Sequence, residues 1–548
     1  MRLPASPNEP QMPIQDGSTE SGDAAIPPAL VARSAFDNLV SGTMTSIPPQ
    51  AVQSSPQRPE LVAGLSGIAG WLGSNGGSLT TRVFRGGVWL FAGNLFTRAA
   101  GLIKIAILGR ILAPGDFGLM GIALLTLQWL EYFTQSGFNA ALIRKSEDPH
   151  RYFDTVWTVQ ILRGTGLAVA LTLGAPFTAR FFHNANAAPL IRALALVLLL
   201  RGLNSPAVIY LRRELNFKRE TIWRLGGTAA GVAAAIIFGL AYRNVWALAV
   251  SLLAAQLTET ALSFWAWPYR PRLMIDREMI QELMQFGKWI FWANILTFAS
   301  GYLDATAVGK LLGSTALGYY EVAAQIAMFS TSQIGTYLRG LMLPAFAKLS
   351  AEEDLRNAFL RSFRILVLLA LPAAAFLNAF AAPVIRLTVG ERWIGIAPLV
   401  KILAWTGAIN GLGELMAPML HRLNKPKKVT VSYLLRTLLL AGVLYPFLRF
   451  AGSTGVAFAT LPAACVATLY LLLQVSRMLV IRPRQLMLAI VPGVLASIPF
   501  LIALRFVSAS WSTSTIVAAV LTFLLYGLTL AFATKGSSII FASLGSKT

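Results

Sequence analysis

The sequence is too apolar for a soluble protein. Of its 548 residues, 55% are hydrophobic and only 13% are charged, whereas soluble domains carry roughly a quarter charged residues. A polytopic membrane protein is therefore predicted, and soluble enzymes are excluded. The net charge of +22 does not indicate a nucleic-acid partner, because the basic residues are strung between apolar spans. The single cysteine and three scattered histidines predict no internal disulfide, metal site or cofactor.

The chain begins with a polar region and continues as a series of apolar spans. Residues 1–80 are rich in Pro, Ser, Gly and Gln, a composition typical of a disordered tail. Met44 offers an alternative translation start within it. About fourteen apolar segments follow, each long enough as a helix to cross a hydrocarbon core of roughly 30 Å. They begin near Phe84, Phe117, Val156, Pro189, Ile222, Val245, Phe286, Leu317, Ile365, Ile396, Val429, Thr454, Leu486 and Thr515.

The loops between these spans alternate in charge. Every second loop is rich in Lys and Arg, as in the 212–219 and 422–428 segments, and the loops between them are poorer in charge. The positive-inside rule therefore predicts that both termini are cytoplasmic.

The first and seventh spans are copies of one another. RGGVWLFAGNLFTRAAGLIKIAILGRILAPGDFGLM, from Arg85, and FGKWIFWANILTFASGYLDATAVGKLLGSTALGYYE, from Phe286, align without a gap when Gly87 is placed on Gly287. Six spans separate the two starts, so both copies have the same orientation and the halves are parallel repeats. The predicted fold is all-α: two six-helix lobes (81–280 and 281–476), then two further helices and a short cytoplasmic tail (477–548). Matching pairs include Gly101 with Gly301, Gly109 with Gly309, Arg110 with Lys310, and Gly118 with Gly318.

Each copy carries a polar stripe along one face of its helix. A turn of 100° per residue brings these side chains within an arc of about 120°. Charged groups at a helix centre cost on the order of 2.5 to 3.5 kcal/mol each in lipid, so the stripes are expected to face protein or a watery cavity. The first stripe contains Asn94, Thr97, Arg98, Gly101 and Lys104, and the second contains Asn294, Thr297, Gly301 and Asp304.

Several stretches, in their order and spacing, resemble one membrane protein family. They are RILAPGDFGLMGIA, ALIRKSEDPHRYFDTVWTVQILRG, LRRELNFKRET, LLGSTALGYYEVAAQIA with LPAFAKLS, and VGERWIGIAPLVKILAW. Over residues 84–473 the chain resembles the polysaccharide exporters, or lipid-linked oligosaccharide flippases, of the MATE-like superfamily. The resemblance implies two lobes around a central cavity, alternating access, and no enzymatic step. The implied cargo is an undecaprenyl-pyrophosphate-linked repeat unit, carried across the bacterial inner membrane for lipopolysaccharide or exopolysaccharide biosynthesis. A polysaccharide polymerase and chain-length machinery are further candidate partners.

An anionic, hydroxyl-rich headgroup needs cations and hydrogen-bonding side chains at membrane depth. The candidate substrate-binding residues are therefore Asn94, Arg98, Lys104, Asn294 and Arg339. Glu131, on the next span, is an alternative partner that would simply neutralise Arg98. Asp304 and Glu321 are candidates either for a gate, with Asp304 paired to Lys104 across the lobes, or for binding a coupling proton or sodium ion.

Two other functions are compatible with such a sequence. A drug or organic-cation antiporter of the same fold would favour an acidic cavity, whereas the first stripe is cationic. A membrane-embedded glycosyltransferase, polymerase or ligase usually has a substantial external loop, and the outward loops here are short. Among the remaining features, Trp393 is expected to anchor a span end at the membrane interface. The Gly227–Gly231 spacing favours close packing between helices of the same chain.

Overall fold

The computed structural model describes residues 79–134, 150–214, 216–267, 269–332, 351–503 and 517–527, with a few single residues between these ranges. Within that part of the chain every regular element is a helix. The predicted disordered tail lies outside the described residues, except that Leu79 and Thr80 already belong to the first helix.

The helices follow one another with short connections. The first half contains α1 (Leu79–Ile111), α2 (Pro114–Thr134), α3 (His150–Phe181), α4 (Ala187–Gly202), α5 (Ile209–Arg213), α6 (Phe217–Tyr242) and α7 (Trp246–Ala266). The second half contains α8 (Arg277–Leu311), α9 (Ser314–Ser330), α10 (Glu352–Thr388), α11 (Ala397–Arg422), α12 (Pro426–Met478), α13 (Pro483–Ala503) and α14 (Val517–Gly527). A one-turn 3₁₀ helix lies at Pro206–Val208, and a two-turn 3₁₀ helix lies at Glu391–Ile396.

The chain is an integral, multi-pass membrane protein. Seven helices among the described residues are long and apolar enough to cross a bilayer. Large apolar side chains on these helices, such as Phe177 and Leu173, are exposed, which is the expected state of a surface that faces lipid. The predicted all-helical class is therefore confirmed.

Helix α12 contains two predicted spans. Its backbone leaves helical geometry at Ala451 and at Gly452, where φ is +58°, a conformation that glycine adopts without strain. A Cβ built on Gly455 would overlap the carbonyl oxygen of Phe447. Residues eight positions apart in a continuous helix are separated by about 12 Å, so the chain folds back at this break. The break falls between the predicted spans that begin near Val429 and Thr454.

Helices of each half pack mainly on one another. In the first half α6 contacts α1 and α7, and α3 contacts α4; in the second, α11 contacts α10 and α12, and α8 contacts α12. Gly227 and Gly231 of α6 lie directly against the backbone of α7 at Ala255 and Ser251. The prediction that this glycine spacing serves packing within the chain is thus confirmed. Contact between the halves is made chiefly by α2 with α9 and α8.

One of the stretches that carry the family resemblance has a structural role at the start of α3. The Asp154 carboxylate accepts hydrogen bonds from the Tyr269 hydroxyl at 2.6 Å and from the Arg272 backbone N–H at 2.7 Å. Partial burial and the bond to Asp154 raise the pKa of the Tyr269 phenol above its ordinary value. Together these bonds fasten the segment between α7 and α8 to the base of α3.

Candidate functional site

Part of the polar stripe on α1 faces its own half of the molecule. Asn94 and Thr97 line a small cleft with Thr221 and Arg224 of α6. The Lys104 ammonium approaches the Ser251 hydroxyl of α7 at 3.5 Å. These groups meet helices α6 and α7, so the expectation that the stripe avoids lipid is met largely by packing between helices.

Arg98 differs from the rest of the stripe because its side chain is exposed. Among the described residues, no carboxylate forms an ion pair with it. Glu131, proposed from the sequence as a neutralising partner, instead forms an ion pair with Arg201 of α4. Arg98 is therefore a cation on α1 that remains available to an anion.

A polar cavity of about 490 Å³ lies among α2, α3, α4 and α6. Its walls come from the C-terminal ends of α2 and α4 and the N-terminal parts of α3 and α6, so all of them lie at one end of the bundle. The lining includes Tyr132, Gln160, Arg163, Arg201, Asn204 and Trp223.

Arg201, Glu131 and Arg163, around this cavity, are paired or held by hydrogen bonds. Besides its ion pair with Glu131, Arg201 donates from Nε to the Gln256 side-chain oxygen at 2.9 Å. The Arg163 guanidinium donates to the Thr134 hydroxyl at 3.3 and 3.4 Å. Glu220, itself buried, completes the charged lining that the structure describes. Two arginines and two glutamates therefore leave this lining with no formal excess of charge.

In the second half, the residue that corresponds to Lys104 has a partner in its own half. The Asp304 carboxylate accepts a hydrogen bond of 2.6 Å from the Tyr320 hydroxyl of α9. Glu321 lies close enough to Asp304 for their charges to interact, and it packs beside Gly121 of α2. The described residues contain no ion pair between Lys104 and Asp304. The predicted gate pair is thus wrong for this conformation, because each side chain faces the helices of its own half.

The two remaining candidate substrate-binding residues are Arg339 and Asn294. Arg339, expected to contact substrate, forms an ion pair of 3.1 Å with Glu414 of α11. The side chain of Asn294 lies outside the part of the chain that the structure describes. No observation assigns a ligand to either residue, and their roles stay predictions.

The two halves meet where α2 crosses α9, and repeat-related glycines form the crossing point. A Cβ built on Gly118 would overlap the carbonyl oxygen of Ser314, and one built on Gly318 would overlap that of Pro114. Only glycine permits two helix backbones to approach this closely. We call this contact the α2–α9 crossing. It lies at the N-terminal ends of α2 and α9, and therefore at the end of the bundle opposite the polar cavity.

Two further contacts between the halves repeat this symmetry. The Arg110 guanidinium, at the end of α1, donates to the carbonyl oxygen of Leu387 near the end of α10 at 2.5 Å. Its repeat counterpart Lys310, at the end of α8, donates to the carbonyl oxygen of Phe181 at the end of α3, also at 2.5 Å. Both bonds satisfy carbonyl groups that a helix leaves free at its C-terminus, where a positive charge is favourable.

Trp393 joins the halves at the same end. Its indole Nε1 donates to the carbonyl oxygen of Gly109 at 2.7 Å. Its ring meets Phe117 and Tyr319 edge-on, with centroid distances of 5.2 and 5.6 Å. The side chain is 0% exposed, so the prediction that Trp393 is a membrane-interface anchor is wrong. Hydropathy marks the end of a span but not whether that end is covered by another part of the protein.

The described helices and their buried charges define a multi-helix membrane protein with one end closed by contact between repeats. A family model described as "Polysaccharide biosynthesis protein" matches residues 107–398, just over half of the chain. The chain belongs to this polysaccharide biosynthesis protein family.

Several named proteins are similar in sequence. Lipopolysaccharide biosynthesis protein WzxC of Escherichia coli (strain K12) is 22% identical over 350 residues, covering 63% of this chain and 70% of WzxC. Teichuronic acid biosynthesis protein TuaB of Bacillus subtilis (strain 168) is 24% identical, with 61% and 70% covered. Succinoglycan biosynthesis transport protein ExoT of Rhizobium meliloti (strain 1021) is 23% identical, with 56% and 62% covered.

Two solved structures show the fold. The lipid II flippase MurJ in an inward closed conformation matches with a TM-score of 0.68 at 12% identity, over 83% of this chain and 99% of MurJ. An inward-facing multidrug resistance MATE transporter matches with a TM-score of 0.57 at 17% identity, over 70% of this chain and 95% of the transporter. The predicted MATE-like fold and polysaccharide family are confirmed.

Sequence reasoning did not select several residues that the structure brings together. Arg201 lies within the predicted span that begins near Pro189, and the cost of a charge in lipid was the signal that could have identified it. Trp223 and Gln160 gave no such signal, because an aromatic or amide residue near a span end is common. Their shared cavity arises only from the tertiary arrangement in which α3 packs on α4, α4 on α7, and α7 on α6.

Proposed function

We propose that the protein flips a lipid-linked oligosaccharide across the bacterial inner membrane by alternating access, as one step of polysaccharide export. The substrate class follows from the family and from the resemblance to flippases. The proposed cargo is an undecaprenyl-pyrophosphate-linked repeat unit, which the protein transports without changing it covalently. The polymerase and chain-length machinery that would use the product are proposed partners.

The difference between the two ends of the helix bundle is the main support for the proposal. The α2–α9 crossing closes one end, while charged and polar groups at the opposite end surround open space. A carrier that alternates access needs such a difference between its two ends, because the two helix sets must separate at one end as they close at the other. In this proposal, the closure at the α2–α9 crossing is one end state of the transport cycle.

We further propose that the chain has fourteen transmembrane helices in two six-helix lobes, with α13 and α14 added. In this arrangement α12 supplies two spans, one on each side of its break. The basic connections of the 212–219 and 422–428 segments support a cytoplasmic cavity end. The closed end is then periplasmic, and both termini are cytoplasmic.

Transport can be tested directly with reconstituted protein. Proteoliposomes would carry a fluorescent undecaprenyl-pyrophosphate-linked oligosaccharide, and a membrane-impermeant glycosidase added outside would cleave the exposed headgroups. We expect the protein to make the inner-leaflet fraction accessible faster than in protein-free vesicles. Equal rates, with the protein folded and inserted, would argue against flipping.

The topology makes a separate prediction. Exposed Lys427 and Glu391 lie at opposite ends of the bundle. In a Cys465→Ser background, a Glu391→Cys variant should react with an impermeant maleimide added to intact spheroplasts, whereas a Lys427→Cys variant should react only after permeabilisation. Labelling of position 427 from outside would reverse the proposed orientation.

Arg98 is the proposed contact for the diphosphate. We expect Arg98→Ala to abolish export, because the anion loses its exposed cation on α1. Arg98→Lys should retain part of the activity, since charge remains but the bidentate guanidinium contact does not. Polysaccharide at the cell surface, measured in complemented deletion cells at equal protein abundance, is the readout. Normal export by the alanine variant would remove Arg98 from the site.

A further inference from the structure

The polar cavity of the first half has the wrong charge balance for a diphosphate. Its lining pairs Arg201 with Glu131 and also contains Arg163 and Glu220. A diphosphate entering this space would meet the carboxylates of Glu131 and Glu220, and it could bind Arg201 only by taking it from Glu131. That exchange would leave the partly buried Glu131 carboxylate without its partner, which is unfavourable. The cavity therefore selects against multiply charged anions.

The same lining is suited to a neutral ligand with many hydroxyl groups. A hydroxyl both donates and accepts, so it can bond to a carboxylate and to a guanidinium without separating the pair. Gln160 has no hydrogen-bond partner among the described residues, and its amide offers both a donor and an acceptor. Asn204 uses its side-chain oxygen to accept from Thr260 at 2.7 Å, which leaves its amide N–H groups for another partner.

Aromatic side chains in the cavity supply an apolar surface against which a sugar ring can pack. The Trp223 indole N–H already donates to the carbonyl oxygen of Glu259 at 2.7 Å. The ring therefore offers the cavity only its apolar surface, against which the C–H face of a pyranose can pack. Tyr132 lines the cavity as well, and its ring contacts Phe298 of α8 at a centroid distance of 5.6 Å. The volume of about 490 Å³ falls in the range of roughly 300–1,000 Å³ that is typical of small-molecule sites.

We infer that this cavity binds sugar residues of the glycan headgroup and so takes part in selecting which glycan is carried. The inference rests on the proposed flippase function. It divides recognition between two places: Arg98 on α1 for the diphosphate, and the cavity among α2, α3, α4 and α6 for uncharged sugar. Changes in the cavity should alter which glycans are exported, whereas loss of Arg98 should affect all of them.

Protection of an introduced cysteine tests the site directly. Asn204→Cys, and Val208→Cys as a second lining position, are made in the Cys465→Ser background and purified in nanodiscs. The probes are short oligosaccharides released by mild acid from the polysaccharide that the host exports, and inorganic pyrophosphate. We expect the oligosaccharides to slow maleimide labelling at both positions and pyrophosphate to have no effect at the same concentration. Trp223→Ala should raise the protecting oligosaccharide concentration about tenfold, equivalent to about 1.4 kcal/mol.

Matched variants control for general damage. Trp265→Ala removes a tryptophan that is 62% exposed in the same half, and Gln325→Leu changes an exposed glutamine of α9. Neither should change protection or export, whereas Trp223→Ala and Gln160→Leu should lower both. Protection by pyrophosphate at or below the oligosaccharide concentration, or protection by neither probe, would overturn the inference. The glycosidase assay of flipping is independent of this result, so failure of the sugar site and failure of the proposed transport function give different outcomes.

Discussion

Replacing Gly118 or Gly318 by alanine is expected to abolish export by preventing the closed end from forming. The added methyl would overlap a backbone carbonyl of the facing helix, Ser314 for the first and Pro114 for the second. Backbone cannot rotate away as a side chain can, so α2 and α9 must separate. Overpacking costs typically about 1 to 3 kcal/mol, and 3 kcal/mol shifts a two-state equilibrium by more than about 100-fold.

The repeat supplies a matched control for this change. Gly101 and Gly301 are also repeat-related helical glycines, and a Cβ built on either meets nothing within 4 Å. Alanine at these positions should leave export intact, because alanine is favoured over glycine in a helix by about 1 kcal/mol.

The conformational effect can be measured apart from export. Leu112 is fully buried beside the closed end, so a Leu112→Cys variant reports opening. Maleimide should label this cysteine faster in purified protein that also carries Gly118→Ala, and at the parental rate with Gly101→Ala. Normal export by the Gly118→Ala variant would mean that the α2–α9 crossing is dispensable.

Trp393→Ala is expected to be the other strongly damaging change. Truncating a buried tryptophan costs typically about 3 to 5 kcal/mol. Here the loss falls on contact between the halves, since the indole reaches Gly109 of α1 and Phe117 of α2. We expect more than about a hundredfold loss of the closed population, with export reduced accordingly and a lower Tm of the purified protein.

Two comparisons separate packing from hydrogen bonding at this position. Trp393→Phe keeps an aromatic ring but leaves the Gly109 carbonyl without its donor, which costs about 1 to 3 kcal/mol if the group stays buried. Its export should fall between that of the parent and the alanine variant. Trp265→Ala, which truncates an exposed tryptophan, should behave as the parent. Equal export by Trp393→Ala and Trp265→Ala would contradict a closing role for Trp393.

The membrane spans could be predicted from the sequence because they depend on composition along the chain. Apolar segments of about 20 residues must become helices in a bilayer, since lipid cannot satisfy free backbone groups. The family followed from the order and spacing of motifs. The gapless alignment of 85–120 with the later copy also paired Gly118 with Gly318 and Arg110 with Lys310, but it did not predict what these residues contact.

Contacts between helices were harder to predict from the sequence. Periodicity gives the relative direction of side chains on one helix but not the neighbouring helix that each side chain meets. Lys104 and Asp304 occupy equivalent positions, and the sequence suggested that they pair. In the structure Lys104 approaches Ser251, and Asp304 accepts from Tyr320. A repeat related by an axis along the membrane normal places equivalent residues in equivalent surroundings of their own halves, so equivalence alone does not bring them into contact.

By itself the sequence determined the membrane class, the helical architecture, the duplication and the family, because each is expressed in local composition or in the order of residues. Only the tertiary structure decided that Glu131 pairs with Arg201 instead of Arg98, and that Gly118 meets the backbone beside Gly318. It also decided that Trp223 and Gln160 share a cavity. These contacts join residues far apart in the chain, and their geometry depends on how whole helices rotate and cross when they pack.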